Sequence, residues 1–228
     1  MSLFAIADTH LSFGTDKPMD TFDGWENYTE RLKNNWNKLV EKDDDVVIAG
    51  DISWAMDFSE LEADFDFIES LNGSKIILKG NHDYWWNTLS KMNKFVEEKG
   101  YKTIRFLYNN SFRCGQCSVC GSRGWFYDSD DEQDKKILLR ETARIERSIQ
   151  SAECENKILF LHYPPVSQNT QCEEIINIIN KYGIKKCYFG HLHGEAAKFA
   201  FEGAQNGVEY KLISCDRLKF TPYLILKY

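Results

Sequence analysis

The chain lacks any run of apolar residues long enough to span a bilayer, so insertion into a membrane is not expected. Its N-terminus, "MSLFAIADTH", has no basic stretch ahead of a cleavable apolar core and passes straight into a strand-like run. Basic charge is in short supply. Lys and Arg number 28 against 35 Asp and Glu, a formal net charge of −7. Such a chain lacks the phosphate-neutralising surface that non-specific nucleic-acid binding needs. Internal repeats, low-complexity tracts and Pro/Ser-rich linkers are also missing. With 228 residues, one domain spanning 1–228 is expected. The seven cysteines are an odd number without a secretion signal, which reads as reduced thiols in the cytoplasm. Cys114, Cys117 and Cys120 in "CGQCSVC" have metal-like spacing. A closed zinc site needs a fourth ligand and none lies nearby, so they read as strand and turn cysteines. Histidine is scarcer still, at five residues.

What is present is a series of short apolar runs: "LFAIA" (3–7), "VVIAG" (46–50), "KIILKG" (75–80), "KILFLH" (157–162) and "KCYFG" (186–190). Continuous apolar runs of this length suit strands covered on both faces. Segments 25–41, 59–71, 84–99, 131–152 and 171–182 carry apolar residues at helical spacing, with Leu138, Ile145, Ile149 and Ala152 forming one stripe. The acidic "DSDDEQD" before that stripe suits a helix N-terminus. Residues 103–125 read as successive strands with turns at Asn109-Asn110 and near Gly115. The C-terminal part reads as a hairpin around Asn206-Gly207 and then a last strand. The order is βα units followed by antiparallel strands, which implies helices outside a mostly β centre.

Each of the five runs ends in residues able to bind a metal. Asp8 and His10 follow the first and Asp51 the second. Asn81, His82 and Asp83 follow the third, His162 ends the fourth, and His191 and His193 follow the fifth. Every histidine therefore sits at the carboxyl end of an expected strand, the edge where open α/β sheets bind ligands. Singly, an Asp after a strand is most often a cap or turn residue, and a lone His a satisfied core residue. Five strand ends that together use all the histidines argue the other way. Two divalent cations roughly 3.5–4 Å apart need a bridging carboxylate, with imidazoles and oxygens to fill the remaining positions.

The ordered set D-x-H, G-D, G-N-H-D, H and G-H-x-H resembles the calcineurin-like metallophosphoesterase superfamily, over nearly the whole chain from Asp8 to His193. The resemblance implies an α/β four-layer sandwich, two packed mixed β-sheets flanked by helices, with a dinuclear site at the strand ends. It implies one metal held by Asp8, His10, Asp51 and His193, and a second held by Asp51, Asn81, His162 and His191. His82 is then the catalytic residue that faces the substrate and protonates the leaving alkoxide or stabilises the charge on phosphorus. The implied reaction is hydrolysis of a phosphate ester by a metal-bound hydroxide. The implied substrate is a small phosphorylated molecule, monoester or diester. The mixed nitrogen and oxygen ligands suit manganese, iron, zinc or nickel.

The sequence departs from the protein Ser/Thr phosphatases of this superfamily at two places. They carry Asp three residues after the bridging Asp, where this chain has Trp54, and Glu after Asn-His, where it has Asp83. This argues against a protein phosphatase and leaves the group that orients His82 open. Arg123 in "SRGWF" is a candidate substrate contact, since Arg matches phosphate geometry, and Trp54 is a candidate apolar wall beside the leaving group. Two other readings stand beside the phosphoesterase. A nuclease would use the same chemistry, but no basic, aromatic-interleaved stretch is present. A non-catalytic metal-binding scaffold tends to lose ligands or the catalytic His, and here all are present. Oligomeric state is not written in the sequence.

Overall fold

The structure is a computed structural model that describes residues 1–125 and 132–228. Five strands form one sheet in the order β11-β1-β2-β3-β4: β1 (Ser2–Ile6), β2 (Asp45–Ala49), β3 (Ser74–Leu78), β4 (Ile104–Phe106) and β11 (Tyr223–Lys227). Its first four strands in sequence run parallel, and β11 pairs antiparallel on the β1 edge. Six strands form the second sheet in the order β5-β6-β7-β8-β10-β9: β5 (Ser111–Cys114), β6 (Cys117–Ser122), β7 (Lys157–Leu161), β8 (Lys186–Phe189), β9 (Gly203–Gln205) and β10 (Val208–Leu212). Its parallel centre, β6 to β8 with β10, is flanked by the antiparallel strands β5 and β9.

The continuous apolar runs are explained by two burials per strand. Side chains alternate across a strand. In β1, Leu3 and Ala5 face the other sheet while Phe4 and Ile6 face helices. In β2, Val47 and Ala49 face inward and Val46 and Ile48 outward. In β7, Ile158 and Phe160 face inward and Leu159 and Leu161 outward. The layers are therefore helix, sheet, sheet, helix, as the resemblance implied.

The first sheet is covered by α1 (Tyr28–Leu39), α2 (Phe58–Ser70) and α3 (Leu89–Lys99). The second is covered by α4 (Glu132–Gln150) and α5 (Glu173–Lys181). On α1, Tyr28, Leu32 and Trp36 form the buried stripe, one turn apart. The α2 helix starts at Asp57, whose side chain accepts from the Ser59 and Glu60 N–H groups, a standard N-cap. Leu138, Ile145 and Ile149 are buried along α4 as the stripe required, with Ala152 just past its end. Of the acidic run before α4, Asp128, Asp130 and Asp131 lie outside the described residues, while Glu132 and Asp134 occupy the first turn.

Three expectations need adjustment. The helix expected from residue 84 begins at Leu89, because residues 84–88 close a loop in which the Tyr84 N–H bonds the His82 carbonyl and the Trp85 indole bonds Asp83. The helix expected from residue 25 begins at Tyr28, after Asn27 in a left-handed conformation. The turn at Asn109-Asn110 does not join partners within one sheet. It carries the chain from β4 in the first sheet to β5 in the second. The hairpin β9–β10 turns at Asn206-Gly207, both at positive φ (52° and 77°), the pattern of a tight two-residue turn.

Candidate metal centre

The carboxyl ends of β1, β2, β3, β7 and β8 meet at one edge of the sandwich, and each leaves its strand into a ligand-type residue. Main-chain bonds lock these ends together. The Asp8 N–H donates to the Gly50 carbonyl at 2.9 Å, and the His10 N–H to the Asp51 carbonyl at 2.9 Å. The Gly190 N–H donates to the His162 carbonyl at 3.1 Å, and the His191 N–H to both Asp8 carboxylate oxygens at 3.0 Å. Asp8, His10, Asp51 and His191 all adopt positive φ, from 43° to 72°. Non-glycine residues hold that conformation at a cost that clusters at functional sites. One compensation is visible at His10, whose carbonyl accepts from the buried Tyr28 hydroxyl at 2.9 Å.

Asp51 occupies the centre. Its Oδ1 accepts the His82 N–H at 2.7 Å. Its Oδ2 lies 3.8 Å from His10 Nε2 and 3.3 Å from His162 Nε2, between two imidazoles. Two groups of side chains converge closely enough to hold a cation each: Asp8, His10 and Asp51, and then Asp51, His162 and His191. Asn81 joins the second group, its Oδ1 lying 2.8 Å from His162 Nε2 and 2.9 Å from His191 Nδ1. His193 lies beside the first group without being one of its converging donors, its ring 5.2 Å from that of His10.

The chemistry of these donors fits metal ions. His10 is 1 % exposed, yet neither ring nitrogen has a hydrogen-bond partner, a costly state that a bound cation relieves. Burial pushes His10 down to about 3 and His191 down to about 4, so both are neutral and offer lone pairs near pH 7. His162 Nδ1 lies 3.1 Å from the Ala49 carbonyl. A carbonyl only accepts, so Nδ1 carries a proton, and Nε2 faces Asp51 and Asn81. Burial lowers the ring's pKa, but Asp51 and Asp8 outweigh it and raise it to about 9, so a cation held at Nε2 would replace a proton there. Burial raises Asp8. For Asp51 burial acts in the same direction, but the neighbouring His162 and His10 outweigh it and hold the carboxyl below its usual range.

His82 is half-exposed beside this cluster, and burial lowers its pKa. Asp83 does not orient it. The Asp83 carboxylate is fully buried and accepts from the backbone N–H groups of Gly80, Asp51 and Ile52, at 2.6, 3.0 and 2.9 Å, and from the Trp85 indole. The partner of His82 Nδ1 is the Tyr84 hydroxyl, at 3.2 Å. Sequence reading missed Tyr84 because a tyrosine two residues after a histidine has no pattern of its own. The support from Tyr28 and the Cys215 thiol, which donates to the Asp8 carbonyl at 2.8 Å, carries no sequence signal either.

Trp54 stacks on His10 at 5.0 Å and tilts against His82 at 4.5 Å, so it is a wall of the site. Arg123 reaches the site through its main chain: its carbonyl accepts from the N–H groups of His162 and Tyr163. Its guanidinium turns into a small cleft with Lys79 and Arg144, 3.8 Å from Glu141 and over the Trp125 ring. The seven cysteines are free, and no metal-binding group among the described residues includes one.

The geometry agrees with what comparison shows. The profile of the calcineurin-like phosphoesterase family matches residues 1–195, which include every residue of the cluster. No curated protein matches this chain. Among solved structures, phosphopantetheinyl hydrolase from Mycobacterium tuberculosis is similar at 13 % identity, covering all of this chain and 96 % of that one, with a TM-score of 0.59. A protein of unknown function from Aquifex aeolicus, AQ665, is similar at 14 % identity, over 98 % and 95 % of the two chains, with a TM-score of 0.55. The TT1561 protein of Thermus thermophilus is similar at 12 % identity, over 91 % and 86 %, with a TM-score of 0.53. Likeness at such identities concerns the fold, whereas the profile match spans most of the sequence: this chain belongs to the calcineurin-like phosphoesterase family.

Proposed function

We propose that this protein is a dinuclear-metal phosphoesterase that hydrolyses the ester of a small phosphorylated molecule. The observation that carries the proposal is Asp51, the one carboxylate common to both cation-holding groups, with its Oδ2 between His10 and His162. Asp8, His10, Asp51 and His193 hold one metal in this reading, and Asp51, Asn81, His162 and His191 the other. Bound divalent cations supply positive charge for the phosphoryl oxygens and lower the pKa of water to about 7. Manganese, iron, zinc and nickel all suit the donor set.

The chain's own residues do the rest. His82 lies against the cluster but outside its donor groups, with Tyr84 on Nδ1 and Nε2 left to meet a substrate. From there its protonated form gives the Nε2 proton to the departing alkoxide oxygen as the P–O bond breaks, while water provides the oxygen that phosphorus gains and its released proton restores that form of His82. Trp54 excludes water from the side of the site it shares with His10. Free, mostly buried thiols support a reducing, cytoplasmic setting, and the continuous sandwich supports one domain over 1–228.

The test is a paired assay on manganese-reconstituted protein with bis(p-nitrophenyl) phosphate and p-nitrophenyl phosphate, and with His82→Ala. Turnover of either ester is expected to fall by about 10²–10⁴ in His82→Ala with metal content unchanged. Faster diester turnover assigns a phosphodiesterase, and faster monoester turnover a phosphomonoesterase. Absence of turnover in the metal-loaded wild type sinks the reading in favour of a scaffold.

A further inference from the structure

A cavity of about 480 Å³ opens beside the metal centre. That is the size of a small-molecule site, and far larger than the oxygens of a phosphoryl group require. Its floor is His10, His82 and His193. Its walls are apolar: Met19, Phe22, Trp25 and Trp54. Trp25 and Trp54 stand against His10 at 6.1 and 5.0 Å between ring centroids, so both indoles border the ligand cluster. Trp25 is held by edge contacts to Tyr28 and Phe220, at 5.2 and 5.1 Å, and Met19 is buried in the same core. The walls are thus fixed by the core, while Phe22 remains 57 % exposed.

The charged groups at the rim are Asp23 and Glu195, and no Lys or Arg lines the cavity among the described residues. Glu195 is paired with Lys198, but Asp23 has no cationic partner among the described residues. The cationic side chains Lys79, Arg123 and Arg144 gather instead in a separate cleft. His82, the proton donor of the proposed reaction, opens into the aromatic cavity. The side of the phosphoryl group that faces His82 is the side from which the leaving group departs.

We propose that this cavity is the leaving-group subsite, and that it selects phosphoesters whose leaving group is flat, apolar and free of negative charge. The aromatic walls supply the contact area, and Asp23 repels a second anionic group. A leaving group that carries a further phosphate or a carboxylate is disfavoured. This inference rests on the phosphoesterase reading, and its test separates the two.

The test measures binding of phosphonates, which have no ester bond to cleave, to the manganese-loaded protein by calorimetry. Phenylphosphonate is expected to bind about tenfold tighter than methylphosphonate. Trp54→Ala is expected to remove most of that advantage. The ratio of the two ligands within one protein cancels any change in how the variant holds metal and phosphonate. Phenylphosphonate is also expected to bind tighter than 4-carboxyphenylphosphonate. Asp23→Lys, at an exposed position, is expected to narrow that second ratio by about threefold and to leave the first unchanged. Hydrolysis of phenyl phosphate and 4-carboxyphenyl phosphate by the same proteins provides a parallel ratio. Equal binding of phenyl- and methylphosphonate overturns the subsite, whatever the esterase assay gives. The expected binding ratios without hydrolysis of any ester keep the subsite and overturn the phosphoesterase reading.

Discussion

Asp83 is a carboxylate used as a backbone clamp. It gathers the N–H groups at the start of two ligand loops, so Asp51 and Asn81 hold position only while it accepts from both. Asp83→Asn keeps the volume but turns an NH₂ group toward N–H donors, leaving at least one of them unsatisfied. Stability of the metal-free protein is expected to drop by about 3 kcal/mol in urea unfolding. Manganese affinity is expected to drop by about 10–100-fold. An unchanged affinity would show that the two loops hold their shape without the clamp. Lys75 is a second buried charge, near the start of β3, whose other end leads to Asn81. Its Nζ donates to the carbonyls of Leu71 and Gly73 at 2.7 and 2.9 Å, and burial lowers it to about 8. The unfolded chain binds the proton more tightly, with an ordinary value of 10.5, so stability rises with pH between about 8 and 10.5. Relative to Lys75→Met, the wild type is expected to gain on the order of 2 kcal/mol across that window, read from unfolding midpoints. A flat difference would mean that the ammonium is solvated.

At the scale of elements, the strand-to-loop junctions are where the sandwich becomes a site. A Cβ placed on Gly190 would lie 2.6 Å from both the Ala7 Cβ and an Asp8 carboxylate oxygen. On Gly80 it would lie 2.1 Å from Asp51 Oδ1. Gly190→Ala is therefore expected to weaken manganese binding by about 10–100-fold while the circular dichroism of the helices is retained. Full-strength binding would show that β1 and β8 can part at no cost to the site. These junctions also explain what was legible beforehand. β1, β2, β3, β7 and β8 were readable because strands buried on both faces are apolar throughout, and their ends because ligand types stand out against that background. The loop at 84–88 was not readable. Trp85, Leu89 and Met92 stand at helical spacing and pack into the core, and nothing local reveals that Asp83 has drawn the backbone away. Nor could the sequence show that the turn at Asn109-Asn110 changes sheets, since sheet membership depends on pairing with distant strands. The aromatic cavity was legible only in one wall, Trp54, because Met19, Phe22 and Trp25 arrive on short successive turns, the Phe22 N–H bonding the Met19 carbonyl and the Trp25 N–H the Phe22 carbonyl, which no local pattern ties to the site.

For the whole molecule, the two sheets meet through an apolar interface that includes Leu3, Val47, Ile76, Val119, Phe160 and Ile213. The second cation-holding group straddles that interface, with Asp51 after a strand of the first sheet and His162 and His191 after strands of the second. A metal held there would bind the folded chain and not the unfolded one. At a hundredfold excess over its Kd it contributes about 2.7 kcal/mol, so chelation is expected to lower the Tm by about 5–10 °C. An identical Tm with and without chelator would place the donor set outside the cooperative unit. The same arrangement has a consequence for the chain as it is made. Asp8, His10 and Asp51 leave the ribosome well before His162, His191 and His193. A nascent chain that stops after α4 carries all the carboxylates of the site but none of the imidazoles from the second sheet. Acquisition of the proposed metal pair therefore waits until the strands of the second sheet that carry His162 and His191 have been made and folded.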